Sequence, residues 1–258
     1  MIGFFLKKAF FDGWDNLISL VILNLGFLLV LAGFYGAMEV LTISTIGGIA
    51  LLLLTLLFYA FYSGCLAYQT KEYAFYMKSD AKHFFSAVKV LWRHNLLFAF
   101  LNLIFFSLAF FVIPFYLSIS TFLGLVVGVF LFWLAFLLIL ALFYFFPLAI
   151  QMPKDKPLKS LKKAFIIVAD NLGFTLFFAL YQLFNLVLSI FLATLIPGMA
   201  GLHLSGQGAL KLLLLKYDYL EEHREVKRKK IPWDALLIEE REKVGPRSLK
   251  GMIFPWKD

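Results

Sequence analysis

Five polar side chains stand inside long apolar stretches of the sequence, and their types limit the chemistry that this region can perform. They are four carboxamides and one imidazole: Asn24, Asn102, Gln182, Asn185 and His203. Such groups can hydrogen-bond an uncharged solute in a central cavity, or they can bond one another across helices. Both alternatives are open. We favour contacts between helices, because no Asp, Glu, Lys or Arg lies near the middle of these stretches to couple transport to an ion.

Patterns typical of catalytic and metal sites do not occur in the sequence. The four histidines, at positions 83, 94, 203 and 223, form no His-x-x-x-His or Glu-x-x-His pair that would place two metal ligands on one helix face. There is also no glycine fingerprint of a nucleotide-binding loop. We therefore expect no catalytic residue, no metal site, no cofactor and no enzymatic activity.

The composition requires a membrane environment. Of the 258 residues, 62% are apolar and only 16% are charged, which is atypical of soluble domains. Four stretches contain no Asp, Glu, Lys or Arg: 16–38, 40–70, 94–153 and 171–210. A transmembrane helix needs about 20 apolar residues, so each of the last two stretches is long enough for two. The apolar runs are continuous, which favours helices over a β-barrel. The sequence predicts an all-α polytopic bundle of six spans, with residues 1–216 as the membrane domain.

The distribution of Lys and Arg predicts the orientation. All 24 of these residues lie before the first span, between spans two and three, between spans four and five, or in and after the end of span six. Cytoplasmic connections carry such an excess, so we expect both termini in the cytoplasm and the protein in the bacterial inner membrane. The opposite turns carry a single charge, Glu39. The net charge of +8 then indicates attraction to the anionic inner leaflet rather than to nucleic acid.

A repeated motif divides the membrane domain into three units. Lys-Lys-Ala-Phe occurs at 7–10 and again at 162–165, and Asp-Asn-Leu follows each copy at the same spacing; a diverged third copy ends at residue 96. The segment before each asparagine is amphipathic with a helical period. We expect three tandem units, at about 1–70, 71–150 and 151–216. Each begins with an interfacial elbow helix that joins a transmembrane hairpin at one asparagine: Asn16, Asn95 and Asn171.

The composition changes abruptly after residue 216. The segment 217–258 contains a basic run at 223–230, a stretch at 232–243 that can form a short helix, and the aromatic residues Trp233, Phe254 and Trp256. Unstructured segments seldom keep large apolar side chains. The tail is therefore either solvated or docked, and in the second case the three aromatic residues anchor it on the bundle or on a protein partner.

Several of these motifs together resemble one family of bacterial membrane proteins. They are the opening Leu17–Val30, the basic segment that ends at Asn95, and Phe145–Ala149 followed by Ser160–Phe165 and Asn171. Over roughly residues 5–215 the chain resembles the YesL-type integral membrane proteins. Members of that family are often encoded beside carbohydrate-uptake systems. The resemblance thus implies a non-enzymatic accessory or scaffold role in solute uptake; the alternative is a small transporter or facilitator for an uncharged solute.

Overall fold

The computed structural model describes residues 1–223, 225 and 231–247. In that part of the chain every regular element is a helix and no strand occurs, as the sequence predicts. The elements in chain order are α1 (Ile2–Asp15), α2 (Leu17–Ile43), α3 (Thr45–Ala74), α4 (Ala81–Val90), α5 (Trp92–Ser107), a π-helical turn (Leu108–Val112), α6 (Ile113–Ser118), α7 (Phe122–Gln151), α8 (Pro157–Asp170), α9 (Leu172–Phe191), α10 (Gly198–Glu222), α11 (Trp233–Leu236) and α12 (Ile238–Val244).

Five helical segments are long and apolar enough to cross a membrane. They are α2, α3, the continuous segment Trp92–Ser118, α7 and α9. Many of their large apolar side chains lie exposed on the outside of the bundle, and apolar surface of that extent is typical of contact with lipid. The chain is therefore a multi-pass membrane protein.

Short polar side chains fix the start of several helices. The hydroxyl of Ser44 accepts a hydrogen bond from the backbone N–H of Gly47 at 3.2 Å, where α3 begins. The carboxylate of Asp80 accepts one from the N–H of His83 at 2.8 Å, where α4 begins. Each bond satisfies an N–H group that the first helical turn leaves without a partner. The α2–α3 turn and the start of the second elbow are thus set by local sequence.

Short helices precede the hairpins, and two of the three junctions lie at the expected asparagine. Asn16 separates α1 from α2, and its amide donates to the carbonyl of Asp12 at 2.8 Å. Asn171 separates α8 from α9 and donates to the carbonyl of Ile167 at 3.0 Å. Both asparagines therefore close the elbow helix from its own last turn.

The second junction differs from the prediction. The break between α4 and α5 lies at Leu91, and Asn95 lies one turn inside α5. Asn95 is fully buried, and it packs so closely on Gly64 that a Cβ there would collide with its amide. Neither polar atom of the Asn95 side chain has a hydrogen-bond partner within the described residues. The close approach of α3, which Gly64 permits, therefore directs this asparagine toward a helix contact rather than the elbow.

The sixth expected span lies in α10, which is not among the five apolar segments. Its small residues Gly201, Gly206, Gly208 and Ala209 are buried, and α10 packs against α1, α2, α3, α7 and α9. A helix surrounded by other helices needs small side chains for close packing rather than a lipid-facing apolar surface. The low hydropathy of α10 follows from this central position.

The third hairpin is shorter than the first. Lys211 in α10 donates to the carbonyl of Ala74 at the end of α3, at 3.3 Å, which brings these two points to one level. From there α10 extends about 20 Å back to Gly198, whereas α3 extends about 45 Å to Thr45, at about 1.5 Å per residue. The turn between α9 and α10 therefore lies beside the middle of the first hairpin and not beside the turn at Ser44.

Two apolar clusters hold the bundle together. The first contains buried side chains from α2–α5, α7 and α10, with Phe98, Phe145 and Phe146 among its members. The second joins α1 to α7–α10 and includes Phe5 and Phe178. Leu237, from the loop between α11 and α12, is also part of the second cluster. Residues 231–247 are thus attached to the core of the membrane domain through Leu237.

Candidate functional site

A buried group of charged side chains connects both ends of the described chain at one end of the bundle. At its centre is Lys8 of α1, which is 1% exposed. Its ammonium lies 2.9 Å from the carboxylate of Asp12 and donates to the carbonyl of Ala74 at 3.0 Å and to the hydroxyl of Tyr76 at 2.8 Å. The ammonium also lies over the Tyr76 ring, 4.0 Å from its centroid. These partners replace the hydration that an ammonium group loses on burial.

Glu240 of α12 completes this group, which we name the Lys8–Glu240 network. The Glu240 side chain is 5% exposed; one carboxylate oxygen lies 3.5 Å from Lys8 and the other 2.8 Å from Lys211 of α10. Lys243 approaches the second oxygen from outside at 3.5 Å. The two buried carboxylates, of Asp12 and Glu240, thus face the buried ammonium of Lys8 and the partly buried ammonium of Lys211, whose side chain is 12% exposed.

The two carboxyl groups have pKa values that are shifted in opposite directions. Burial raises the pKa of Asp12 to about 6, and the attraction of Lys8 offsets only part of this effect. Burial also acts to raise the pKa of Glu240, but the hydrogen bond from Lys211 and the charges of Lys8, Lys211 and Lys243 outweigh it and lower the pKa. Glu240 is therefore the permanent anion of the network, whereas Asp12 is the group that titrates under mildly acidic conditions.

A second set of contacts surrounds the network on its exposed side. The guanidinium of Arg247 binds the carboxylate of Asp15 through two hydrogen bonds, at 2.7 and 2.9 Å, and lies over the ring of Phe11. Lys7 donates to the carbonyl of Gly245 at 2.9 Å. Because α1 is contacted along its length, residues 231–247 are docked on the elbow helix and not only on Lys8.

The apolar anchors of residues 231–247 include one of the three expected aromatic residues and two aliphatic ones. Trp233 packs partly buried against the second apolar cluster. Phe254 and Trp256 lie outside the described residues. The deeply buried apolar side chains are Leu237 and Val244, which are 0% and 1% exposed. Together with Glu240 they have the i, i+3, i+7 spacing of a helix face, and this spacing was the signal in the sequence from which the anchors could have been found.

The polar residues inside the membrane domain serve separate contacts. Asn24 binds the α9–α10 turn: its amide donates to the carbonyls of Leu195 and Pro197 at 2.9 and 2.8 Å, and its oxygen accepts from the N–H of Ala200 at 2.8 Å. Ser189 accepts a further bond, from the N–H of Gly198 at 2.9 Å. Backbone groups of an irregular turn at membrane depth must find such partners within the protein.

Of the other four residues, three form hydrogen bonds, and His203 makes a ring contact while its Nε2 has no hydrogen-bond partner among the described residues. Gln182 donates to the carbonyl of Leu202 in α10 at 3.0 Å, and Asn102 donates to the carbonyl of Phe98 in its own helix at 2.8 Å. The side chain of Asn185 hydrogen-bonds Tyr181 within α9, and the ring of His203 packs edge-on against Phe146. None of the five expected residues lines the cavity of about 640 Å³ beside the α2–α3 hairpin.

Comparison with known proteins gives no relative for this chain: no family model, no curated protein and no solved structure matches it. Within residues 1–223, 225 and 231–247 no three His, Cys, Asp or Glu side chains are grouped so that they could hold a metal ion. The arrangement with the most distinctive chemistry is therefore the Lys8–Glu240 network. It can hold the polar residues 231–247 against one end of the helical bundle.

Proposed function

We propose that this protein is a non-enzymatic accessory or scaffold protein of the bacterial inner membrane, of the YesL type, that serves solute uptake by binding a protein partner at its elbow side. The observation that supports this proposal is the docking of residues 231–247 through the Lys8–Glu240 network. Burial of four charges is costly unless the geometry is well satisfied. Such an arrangement is used where one conformation of a surface has to be specified, and a binding surface is one such case.

The surface formed by this docking has the character of a binding site. Glu239 and Asp234 project from it with side chains 87% and 92% exposed, and the apolar Ile238 is 51% exposed between them. Trp14 of α1 is 53% exposed. Exposed aromatic and aliphatic groups with a charged rim are typical of protein interfaces.

We further propose a topology in which both termini and the three elbows are cytoplasmic and the six long helices form three elbow-plus-hairpin units. The basic residues of the connections favour this orientation. In the third unit α9 and α10 enter the membrane as a short hairpin, and the turn that Asn24 binds remains at membrane depth. The partner would then approach the protein from the cytoplasm. On the same side the basic residues of the protein attract the anionic inner leaflet.

Photo-cross-linking in cells tests the scaffold proposal. A photoreactive amino acid in place of Ile238 should give a discrete adduct with a protein, and the same residue in place of Ile46, at the opposite end of the bundle and 84% exposed, should not give that adduct. The adduct should disappear when Glu240→Gln is combined with Leu237→Ala and Val244→Ala, which together remove the buried anion and the two buried apolar anchors of the segment. Equal adducts from both positions would contradict the proposal.

A flux assay separates the scaffold from the transporter. Proteoliposomes that contain the purified protein should show no saturable flux of uncharged sugars. Saturable flux that Asn102→Leu abolishes would instead establish a transporter. Asn102 suits this test because its amide bonds only the carbonyl of Phe98 in the same helix, so its replacement leaves the helix contacts intact.

A further inference from the structure

A groove of about 640 Å³ lies between the α2–α3 hairpin and the elbow helix α4. Helix α2 lines it with one stripe that contains the small residues Ser19 and Gly26, seven positions apart and so on the same face. The opposite walls carry aromatic side chains, such as Phe58 of α3 and Phe85 of α4. Gly26 lets the Tyr62 side chain of α3 pack directly on α2, and the hollow lies between this contact and the aromatic walls. Its volume falls in the range of about 300 to 1,000 Å³ that is usual for small-molecule sites.

The groove has the length of one membrane leaflet. On α2 it extends from Ser19 to Leu29, which is about 15 Å, and on α3 from Phe58 to Tyr73, which is about 22 Å, at about 1.5 Å per residue. Half of a hydrocarbon core is about 15 Å thick. Leu29 and Phe58 lie near the middle of their helices, whereas Ser19 and Tyr73 lie near the ends that adjoin the elbows. The groove therefore extends from the elbow side of the bundle to the middle of the first hairpin.

Polar groups gather at the elbow end of the groove. The amide of Gln69 donates to the hydroxyl of Tyr73 at 3.1 Å, and its oxygen accepts from the hydroxyl of Ser79 at 3.0 Å. Gln69 is 4% exposed and Tyr73 is 7% exposed, and all three residues line the groove. This hydrogen-bonded row separates an apolar interior from a polar rim. A ligand of such a site must therefore have an apolar part and a polar part.

The rim beyond this row carries two lysines without acidic partners. A cleft that contains Lys78 shares Ser79 and Asp80 with the groove, and Lys82 lies in the first turn of α4 beside it. Asp80 caps α4, and Glu72 in the same cleft is paired with Lys71 at 2.9 Å. Neither Lys78 nor Lys82 forms an ion pair with a residue that the structure describes. The two ammonium groups are thus available to an anion at the mouth of the groove.

We propose that the groove binds one acyl chain of an anionic phospholipid, with the headgroup phosphate between Lys78 and Lys82. The apolar length accepts the chain in the leaflet on the elbow side, the row at Gln69 meets the ester region, and the two lysines select the charge. This site is separate from the Lys8–Glu240 network. It does not depend on the scaffold role, and either proposal can fail without the other.

Native mass spectrometry of the purified full-length protein tests the acyl-chain site. With phosphatidylglycerol added to the detergent solution, the protein should retain one lipid. Ser19→Trp, which fills the groove, should reduce retention roughly tenfold, whereas Ile18→Trp should not, because Ile18 is 76% exposed and points away from the groove. Equal retention by these two variants would overturn the proposal.

The headgroup contact has its own matched pair of variants. Phosphatidylglycerol should be preferred over phosphatidylcholine by roughly tenfold, since each lysine near an anionic headgroup adds to the affinity. Lys78→Gln with Lys82→Gln should remove that preference. Lys89→Gln with Arg93→Gln, which removes one charge from the last turn of α4 and one from the first turn of α5, should retain it. Absence of a preference in the wild type would overturn the assignment of an anionic lipid.

The wild-type chain provides a further measurement that needs no variant. Cys65, the single cysteine, lines the groove. Bound phosphatidylglycerol should slow its alkylation by N-ethylmaleimide several-fold, and phosphatidylcholine at the same concentration should not. An alkylation rate that is unchanged at saturating phosphatidylglycerol would place the lipid elsewhere and would contradict the proposal.

Discussion

Substitution of Glu240 by Gln tests the role of the Lys8–Glu240 network most directly. The change keeps the size of the side chain and removes the anion on which Lys8 and Lys211 converge, at 3.5 and 2.8 Å. Removal of one partner from a buried ion pair is destabilising by about 3–5 kcal/mol. Because the Gln carbonyl still accepts a hydrogen bond, we expect about 2–3 kcal/mol, as for a bond to a charged group.

The loss should appear as local release of the docked segment rather than as unfolding of the bundle. Burial of Leu237 and Val244 contributes about 1.5–3 kcal/mol each, so the docked form persists but opens more often. At about 1.4 kcal/mol per factor of ten, hydrogen exchange of the amides in residues 233–244 should accelerate roughly 30- to 100-fold. Exchange in α3 and α7 should not change.

Glu239→Gln is the matched control. Glu239 precedes Glu240 in α12, but its side chain is 87% exposed and lies 3.9 Å from Lys243. Exposed pairs of this kind contribute less than about 1 kcal/mol. If Glu240→Gln and Glu239→Gln show the same exchange as the wild type, the network does not hold the segment, and the docking must rest on apolar contacts alone.

Three other substitutions or conditions have outcomes that follow from the contacts described. Burial holds the pKa of Asp12 at about 6 instead of 3.8, so the folded protein binds an extra proton between about pH 4 and pH 6. Its stability should therefore fall as the pH rises through that window, by about 3 kcal/mol relative to Asp12→Asn. The same pH dependence of the unfolding free energy in both proteins would contradict this. Asn24→Leu removes the partner of the Leu195 carbonyl and of the Ala200 N–H in the α9–α10 turn, while the Pro197 carbonyl keeps its bond from the N–H of Gly201. The change should lower the unfolding free energy by at least about 2 kcal/mol, whereas Asn102→Leu should cost less than half as much in the same thermal measurement in detergent. In a Cys65→Ala background, cysteines at Ser44 and Ser120 should react with an impermeant thiol reagent added to intact cells, and a cysteine at Ala193 should not. The reason is that the α9–α10 turn lies about 20 Å from the level of Lys211, whereas the first hairpin extends to about 45 Å. Equal labelling at Ala193 would mean that the third hairpin crosses the membrane completely.

Periodicity and charge were sufficient to predict the helical class, the apolar helices and two of the three elbow junctions. Asn16 and Asn171 end their own helices through hydrogen bonds to the carbonyl four residues earlier. Contacts between residues this close in the chain can be predicted from sequence spacing. Asn95 was misplaced because its position depends on Gly64, a residue of another helix. The depth of the α9–α10 turn depends on Asn24, about 170 residues earlier in the chain, and no local pattern contains that information.

The Lys8–Glu240 network also has one part that the sequence predicts and one part that it does not. Each half of the network is visible as an amphipathic helix, with Lys8 and Asp12 one turn apart in α1 and with Leu237, Glu240 and Val244 on one face in the tail segment. Their pairing is not visible, because charges in the sequence do not specify which oppositely charged residue they meet after folding. The sequence predicts anchors at Trp233, Phe254 and Trp256, since large aromatic side chains carry a strong general signal of burial; Trp233 packs against the second apolar cluster, and the other two lie outside the described residues.

The pairing of Lys8 with Glu240 also sets an order of events during synthesis. The ribosome adds about 5–20 residues per second, so α1 waits roughly 10 to 50 s before its anion partner exists. In that interval Lys8 has only Asp12 as a carboxylate partner within the network, and solvent is available to the charges of α1. When α12 docks, it excludes that solvent from Lys8. The elbow helix α1 is therefore the last of the elbows to be fixed in place. A chain that stops between residues 222 and 240 would therefore contain all helices up to α10 but leave Lys8 without its Glu240 partner.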